Sequence, residues 1–191
     1  AGTTLARQLP DPGLVKDLDL ALATYGMSQT LLQLELTENM VRMSGPQAIK
    51  VIYEIHRRGI HLAIDDFGAR YSSMSLIKQF PIDTIKIDRS LVLDLPKDLE
   101  DRAIAQTIIS MGKALGKTVI AEGVETTEQE TFLRDHACDE MQGFLFSKPV
   151  HAERISDLLR PSLSVSAPIQ PSTSTDVGRH ANKTKFGLAR S

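Results

Sequence analysis

The sequence predicts an α/β fold built on a parallel sheet. Five strand-like apolar stretches alternate with helix-periodic ones, and no two of them are joined by a hairpin turn. Neither Gly-rich phosphate fingerprint, G-x-G-x-x-G or G-x-x-x-x-G-K, occurs. A doubly wound open sheet and a (β/α)8 barrel both fit this alternation. A complete barrel takes about 250 residues, so within 191 residues a barrel would be partial, with about five of its eight strands.

The elements follow in order. Asp11-Pro12 caps and starts a helix whose apolar positions Leu14, Val15, Leu18, Leu22 and Tyr25 recur at helical spacing, ending near Gly26. LLQLELTE then reads as a strand. Gly45-Pro46 opens a second helix with Ile49, Ile52 and Ile55 on one side and Gly59 as its stop, before the strand HLAIDD. A helix over about Ser72 to Gln79 precedes the strand DTIKID. A long helix spans Leu99 to Leu115, with Ile104, Ile108, Met111 and Leu115 toward the core and Gly116 as the stop. The strand TVIAEGVE runs into Thr126 and Gln129, a capping-box pattern that starts a helix through His136. EMQGFLFSKP supplies the last strand and HAERISDLLR the last helix. Residues 1–160 form the folded portion on this reading. Residues 161–191 read as a disordered tail rich in Ser, Thr and Pro, with too little apolar surface to offset ordering entropy.

Composition narrows the partners. With 22 Lys+Arg against 24 Asp+Glu the net charge is −2, which gives no electrostatic reason to expect a DNA or RNA polymer. The single Cys138 forms no internal disulfide, and no Cys/His cluster has zinc spacing, so a cytoplasmic, reducing setting is expected. No apolar run approaches about 18 residues, which places any membrane anchor in segments upstream of this chain.

In parallel α/β folds the loops converge at the carboxyl ends of the strands, and sites form there. Here those ends carry Glu35 and Glu38 (LELTE), Asp65 and Asp66 (IDD), Lys86 and Asp88 (IKID), Glu122 (IAEGVE) and Gln142 (MQGF). Taken singly, each has a plainer reading. Glu35 and Glu38 serve equally as solvated charges, Asp65-Asp66 as a turn or helix cap before Gly68, and Glu122 as a loop cap. Lys86 is harder to dismiss, because alternation puts it on the opposite face from Ile85 and Ile87, where an unpaired ammonium would be costly.

Gathered at one rim, four acidic groups repel one another unless cations neutralise them, and Lys86 alone does not balance them. Carboxylates and an amide are all-oxygen donors, which favours Mg2+ or Mn2+ over zinc. Adjacent carboxylates such as Asp65 and Asp66 suit a pair of ions about 3.5–4 Å apart, the arrangement that activates water for displacement at phosphorus.

In this order and spacing LELTE, IDDFGxxYSS, IKIDRS, VIAEGVE and QGFLFSKP resemble the EAL domain family of cyclic di-GMP phosphodiesterases, over roughly residues 6 to 150. The resemblance implies a (β/α)8 barrel that linearises cyclic di-GMP to pGpG with two Mg2+ or Mn2+ ions. By position it makes Glu35 a ligand of the first metal, Asp65 a bridging ligand and Asp66 a ligand of the second. It makes Lys86 the holder of the attacking water, Glu122 a group acting at the second metal or its water, and Gln142 a residue lining the substrate site. Glu38 matches the glutamate that braces the loop after the double Asp.

The chain also departs from the pattern. The Glu-Ala-Leu strand lies upstream of residue 1, and Thr3 stands where the family places a ligand Asn in Asn-x-Ser-x-Arg-Gln. Ala69 and Arg70 replace the Thr and second Gly that usually follow DDFG. The resemblance therefore implies the carboxyl-terminal portion of a cyclic di-GMP phosphodiesterase with little or no turnover alone and exposed sheet edges that invite a homodimer. The competing expectation is a degenerate domain that binds cyclic di-GMP or a protein without cleavage. An unrelated Mg2+-dependent barrel is a third.

Overall fold

A computed structural model describes residues 8–43, 45–69 and 74–155, except for the side chains of residues 38, 42 and 43. The chain divides into two units, Ala1–Val150 and His151–Ser191. In the second, the described residues hold a single 3-10 turn, Ala152–Arg154.

The first unit carries one sheet: β1 (Gln33–Thr37), β2 (His61–Phe67), β3 (Thr84–Ile87), β4 (Thr118–Glu122) and β5 (Glu140–Gln142). All neighbouring pairs are parallel and the spatial order is β1-β2-β3-β4-β5. A doubly wound sheet reverses its order at a switch point, whereas a barrel adds each strand to the same side of the last. The sequential order therefore settles the choice: the chain is a partial (β/α)8 barrel.

Register separates the two faces. Residues paired across parallel strands share a face, and the face alternates along each strand. Leu34 pairs with Leu62, Ile64 with Ile85 and Ile85 with Val119. Together with Leu36, Ile87 and Ala121 they make one apolar face within the main core. The opposite face carries Gln33, Glu35, Ala63, Thr84, Lys86 and Glu122, with Glu35 paired to Ala63, Ala63 to Thr84 and Glu122 to Gln142. That second face is the barrel interior.

Helices cover the apolar face, and their ends follow from local chemistry. α1 (Gly13–Tyr25) ends on Gly26 at φ 61°, a left-handed stop that glycine adopts without steric cost. α2 (Glu38–Met43) follows β1 directly. α3 (Pro46–Arg57) starts on a proline and buries Ala48, Val51, Ile52 and Ile55. α4 (Met74–Gln79) and α5 (Arg89–Leu93) are short. α6 (Leu99–Ala114) is capped by Asp98, whose carboxylate accepts from the backbone N–H of Glu100 and Asp101. α7 (Thr127–Asp135) carries the full Thr126–Gln129 capping box.

Some expectations need correction. Tyr25 is 83% exposed and Leu115 42% exposed; Tyr25 is the last residue of its helix and Leu115 the C-cap that follows α6. The strand expected over EMQGFLFSKP stops at Gln142, and Phe144 and Phe146 lie largely exposed. Its backbone turns there because Val124 accepts the N–H of Leu145 and holds the chain out of strand geometry. Of the helix expected over residues 151–160, the described residues show a 3-10 turn over Ala152–Arg154 followed by a helical Ile155; residues 156–160, like the expected tail at 161–191, lie outside the described residues. Helices α2 and α5, too short to show a hydrophobic period, were not expected. Among the described residues no helix is long and apolar enough to cross a membrane.

Candidate active site

The site grows from an irregularity in β2. Ile64 pairs with Ile85, but Phe67 pairs with Ile87, so Asp65 and Asp66 together stand opposite the single residue Lys86. This is a β-bulge, and Asp66 takes φ 55° there, a left-handed conformation that aspartate tolerates better than most residues. In a regular strand adjacent side chains face opposite ways. The extra residue turns Asp66 back, and carboxylate oxygens of Asp65, Asp66 and Glu122 come within 4.8 Å of one another.

Lys86 projects from β3 into the same space and is 4% exposed. Its Nζ lies 2.6 Å from Glu35 Oε1, 2.7 Å from Glu122 Oε1 and 3.1 Å from Asp65 Oδ1. Burial lowers the pKa of this ammonium, but hydrogen bonds to Glu122 and Glu35 outweigh it, and the net shift is upward. Lys86 is therefore a fixed positive charge. Glu122 moves upward too: burial is the largest cause, opposed by Lys86 and reinforced by repulsion from Asp65 and Glu35. Asp66 is raised by burial first, then by repulsion from Asp65 and Asp88.

Four carboxylates around one ammonium leave the pocket negative. Asp65 Oδ1 is buried without a hydrogen bond, although Lys86 Nζ is 3.1 Å away. The distance makes an ion pair, but the alignment is outside hydrogen-bond geometry, so this oxygen keeps an unfilled lone pair. An orphaned buried oxygen beside two further carboxylates, with no thiolate or imidazole among them, fits a hard divalent cation.

Thus the structure brings Glu35, Asp65, Asp66, Lys86 and Glu122 together. Within the set the compact carboxylate trio is Asp65, Asp66 and Glu122, while Glu35 turns to Lys86 and remains 46% exposed. Gln142 stands next to Glu122 in register with its side chain exposed. Glu38 opens α2, but its side chain, the loop at residues 70–73 and Thr3 lie outside the described residues.

Two contributors had no assigned role in the sequence reading. Asp88 caps α5 by accepting from Ser90 N at 2.9 Å, and it repels Asp66. Its signal was present, as the last residue of IKID. Thr84, buried on the interior face, accepts from Gln33 Nε2 at 2.9 Å; its signal was the alternation that also placed Lys86.

A sequentially wound parallel arc with carboxylates and a lysine at its strand ends defines a barrel-type site of acidic character. The chain belongs to the EAL domain family, which matches residues 4–149. It is 38% identical over 163 residues to the cyclic di-GMP phosphodiesterase NbdA of Pseudomonas aeruginosa, covering 85% of this chain and 21% of that protein. It is 35% identical to the bifunctional diguanylate cyclase/cyclic di-GMP phosphodiesterase MucR of the same organism, covering 78% and 22%. The chain thus spans about a fifth of the length of these relatives. The solved PaMucR phosphodiesterase in complex with c-di-GMP superposes with a TM-score of 0.73 at 35% identity, covering 78% of this chain and 61% of that one. Klebsiella pneumoniae BlrP1, solved as a manganese/cy-diGMP complex, gives 0.72 at 38% identity, covering 76% and 37%.

Proposed function

We propose that this chain forms the strand-end portion of a metal-dependent phosphodiesterase site that hydrolyses cyclic di-GMP to pGpG. The observation that carries the reading is the bulge that puts Asp65 and Asp66 together opposite Lys86, with Asp65 Oδ1 left without a hydrogen bond. The relatives named for cyclic di-GMP hydrolysis and the cy-diGMP complexes supply the substrate class. The reaction adds water across one phosphodiester: a P–O bond forms to the water oxygen, the P–O3′ bond breaks, and the 3′ oxygen leaves with a proton.

Glu35, Asp65 and Asp66 are the proposed ligands for two Mg2+ or Mn2+ ions, with Glu122 beside them. When bound, such ions neutralise phosphodiester charge and make water a better nucleophile at neutral pH. Lys86, held charged by its three partners, orients the attacking water by donating to it. Glu122, whose pKa is raised by burial, is placed to accept a proton. Gln142 contributes an exposed amide on the substrate side. Glu38 braces the loop that follows Asp66.

Turnover by the 191-residue chain is expected to be low, because Thr3 stands where the family places a ligand Asn, and a neutral hydroxyl coordinates a hard cation more weakly and with less reach than an amide oxygen. A cytoplasmic location and a homodimer complete the proposal. The first is supported by the single cysteine. The second is supported by β1 and β5, each of which has one partner strand among the described residues. Calorimetric titration of Mn2+, followed by product analysis with cyclic di-GMP, tests the reading. Absence of both Mn2+ uptake and cyclic di-GMP binding would overturn it.

A further inference from the structure

The turn that leaves Glu122 is gripped from three directions by residues outside the acid cluster. Gln129, the third residue of α7, is polar yet only 3% exposed. Its Oε1 accepts from the backbone N–H of Glu125 at 2.7 Å and of Thr126 at 2.9 Å, and its Nε2 donates to Leu93 O at 3.0 Å. On another side, Arg89 Nη2 donates to Glu125 Oε1 at 2.7 Å. The stem of Arg89 covers Gly123 so closely that a Cβ there would lie 2.3 Å from Arg89 Cγ. From β5, Val124 N donates to Gln142 O and Leu145 N donates to Val124 O, each at 3.0 Å.

A capping box requires only the bond between Thr126 and Gln129 and its return. Gln129 goes further, because its amide also reaches Leu93 at the end of α5, the helix that begins just after Lys86 and Asp88. One buried side chain thereby links the segments that follow β3 and β4. Glu122 is the last residue of β4, and the backbone turns away at Gly123 with φ 72°. The direction of its carboxylate, 2.7 Å from Lys86 Nζ, is therefore set by how rigidly residues 123–126 are held. A buried amide held by three hydrogen bonds is a stiff support for that purpose.

We propose that Gln129 is a positioning residue for the Glu122 carboxylate, acting through the turn at residues 123–126 and assisted by Arg89, so that Glu122 and Lys86 stay aligned for phosphodiester hydrolysis. The proposal rests on the functional reading above. Partners that hydrogen-bond a metal ligand directly are worth about 10- to 100-fold in metal affinity; Gln129 acts on Glu122 through the backbone, so its effect is expected to be smaller.

The test uses the 191-residue chain and three variants. Gln129→Met keeps the length and removes all three side-chain bonds. Gln129→Glu keeps both bonds accepted from the turn and a Thr-x-x-Glu capping box, but loses the bond donated to Leu93. Arg89→Gln removes an exposed ion pair and leaves the core intact. Two quantities are measured: the carboxyl carbon resonance of Glu122 in the metal-free protein, assigned by its loss in Glu122→Gln, and Mn2+ affinity by calorimetry.

Gln129→Met should shift the Glu122 resonance and weaken Mn2+ binding, by less than about 10-fold because the support acts through the backbone. Gln129→Glu, which keeps the turn bonds but sets a buried carboxylate against Leu93 O, should fall between wild type and Gln129→Met, and Arg89→Gln should shift both less than Gln129→Met, in the same direction. A folded Gln129→Met with wild-type resonance and affinity overturns the proposal. If that variant does not fold, an Arg89→Gln protein indistinguishable from wild type does the same. A resonance that depends on Gln129 in a chain that takes up no Mn2+ upholds the positioning and overturns the metal reading instead.

Discussion

Lys86 Nζ and Glu122 Oε1 stand 2.7 Å apart across the adjacent strands β3 and β4. Each is on the barrel-interior face, and burial disfavours the charged form of both. Their pairing keeps the lysine charged while the surplus of carboxylates still lifts Glu122. The pocket is thus held together by one cation and left short of positive charge.

Lys86→Met tests this balance in the metal-free chain. Removing the cation leaves Glu35, Asp65 and Glu122 facing one another. Breaking a buried pair costs 3–5 kcal/mol in typical cases, and the low end, about 3 kcal/mol, is expected here because Glu35 is half in water. Urea denaturation measures the loss. Added Mn2+ should recover part of it, and a variant as stable as wild type would contradict the ion-pair picture.

Asp65→Asn should weaken Mn2+ binding by at least about 10-fold, because an amide oxygen carries no formal charge. Its fold should persist, since the side chain is nearly isosteric. Unchanged calorimetric affinity would remove Asp65 from the ligand set.

Stability should depend on pH through Glu122. Its folded pKa lies above that of an unfolded glutamate, with burial as the main cause. The folded chain therefore binds this proton more tightly than the unfolded chain. Its stabilising contribution is complete below about pH 4.3 and is lost as pH rises through the folded value. Asp66, also raised, acts with the same sign. The difference in Tm between wild type and Glu122→Gln should accordingly decline from pH 4 toward neutrality without metal. A flat difference would refute the upward shift.

Cys138 is half-buried, with its thiol against the carbonyl oxygens of Val119 and Glu140, and desolvation pushes it up to about 11. Little thiolate exists at pH 8, so modification by a disulfide reagent should be slower than for free cysteine by about two orders of magnitude. A rate matching free cysteine would mean that the pocket around Cys138 opens readily.

Gly143→Ala should destabilise the chain by about 3 kcal/mol, at the upper end for overpacking. A Cβ there would stand 2.0 Å from Val124 O, a backbone atom that has no rotamer to move into. Thermal melts would show the loss, and a neutral substitution would mean that β5 sits farther from the turn.

Much of the fold was legible because periodicity reports burial. Ile85 and Ile87 flank Lys86, and alternation alone placed the lysine on the interior face. The helix ends at Gly26 and Thr126 followed from capping chemistry. What stayed hidden lay in backbone irregularity and long-range pairing. Nothing in IDDF announces a bulge, since alternation predicts that Asp65 and Asp66 diverge. The burial of Gln129 was equally hidden: its capping-box role was visible, but its bond to Leu93 depends on how α5 and α7 meet. Strand order, which separates a barrel from a doubly wound sheet, is a tertiary property that local pattern does not encode.

The bulge in β2 makes this pocket sensitive to the number of residues as well as to their identity. Deleting one of the two aspartates would do more than subtract a charge. The remaining strand would regain its two-residue repeat with Phe67 still opposite Ile87, and the bulge that turns the second carboxylate back toward the first would be gone. Insertions and deletions at this point should therefore be far more damaging than substitutions, and an alignment gap here in a related chain would signal loss of the pocket even where every acidic letter survives.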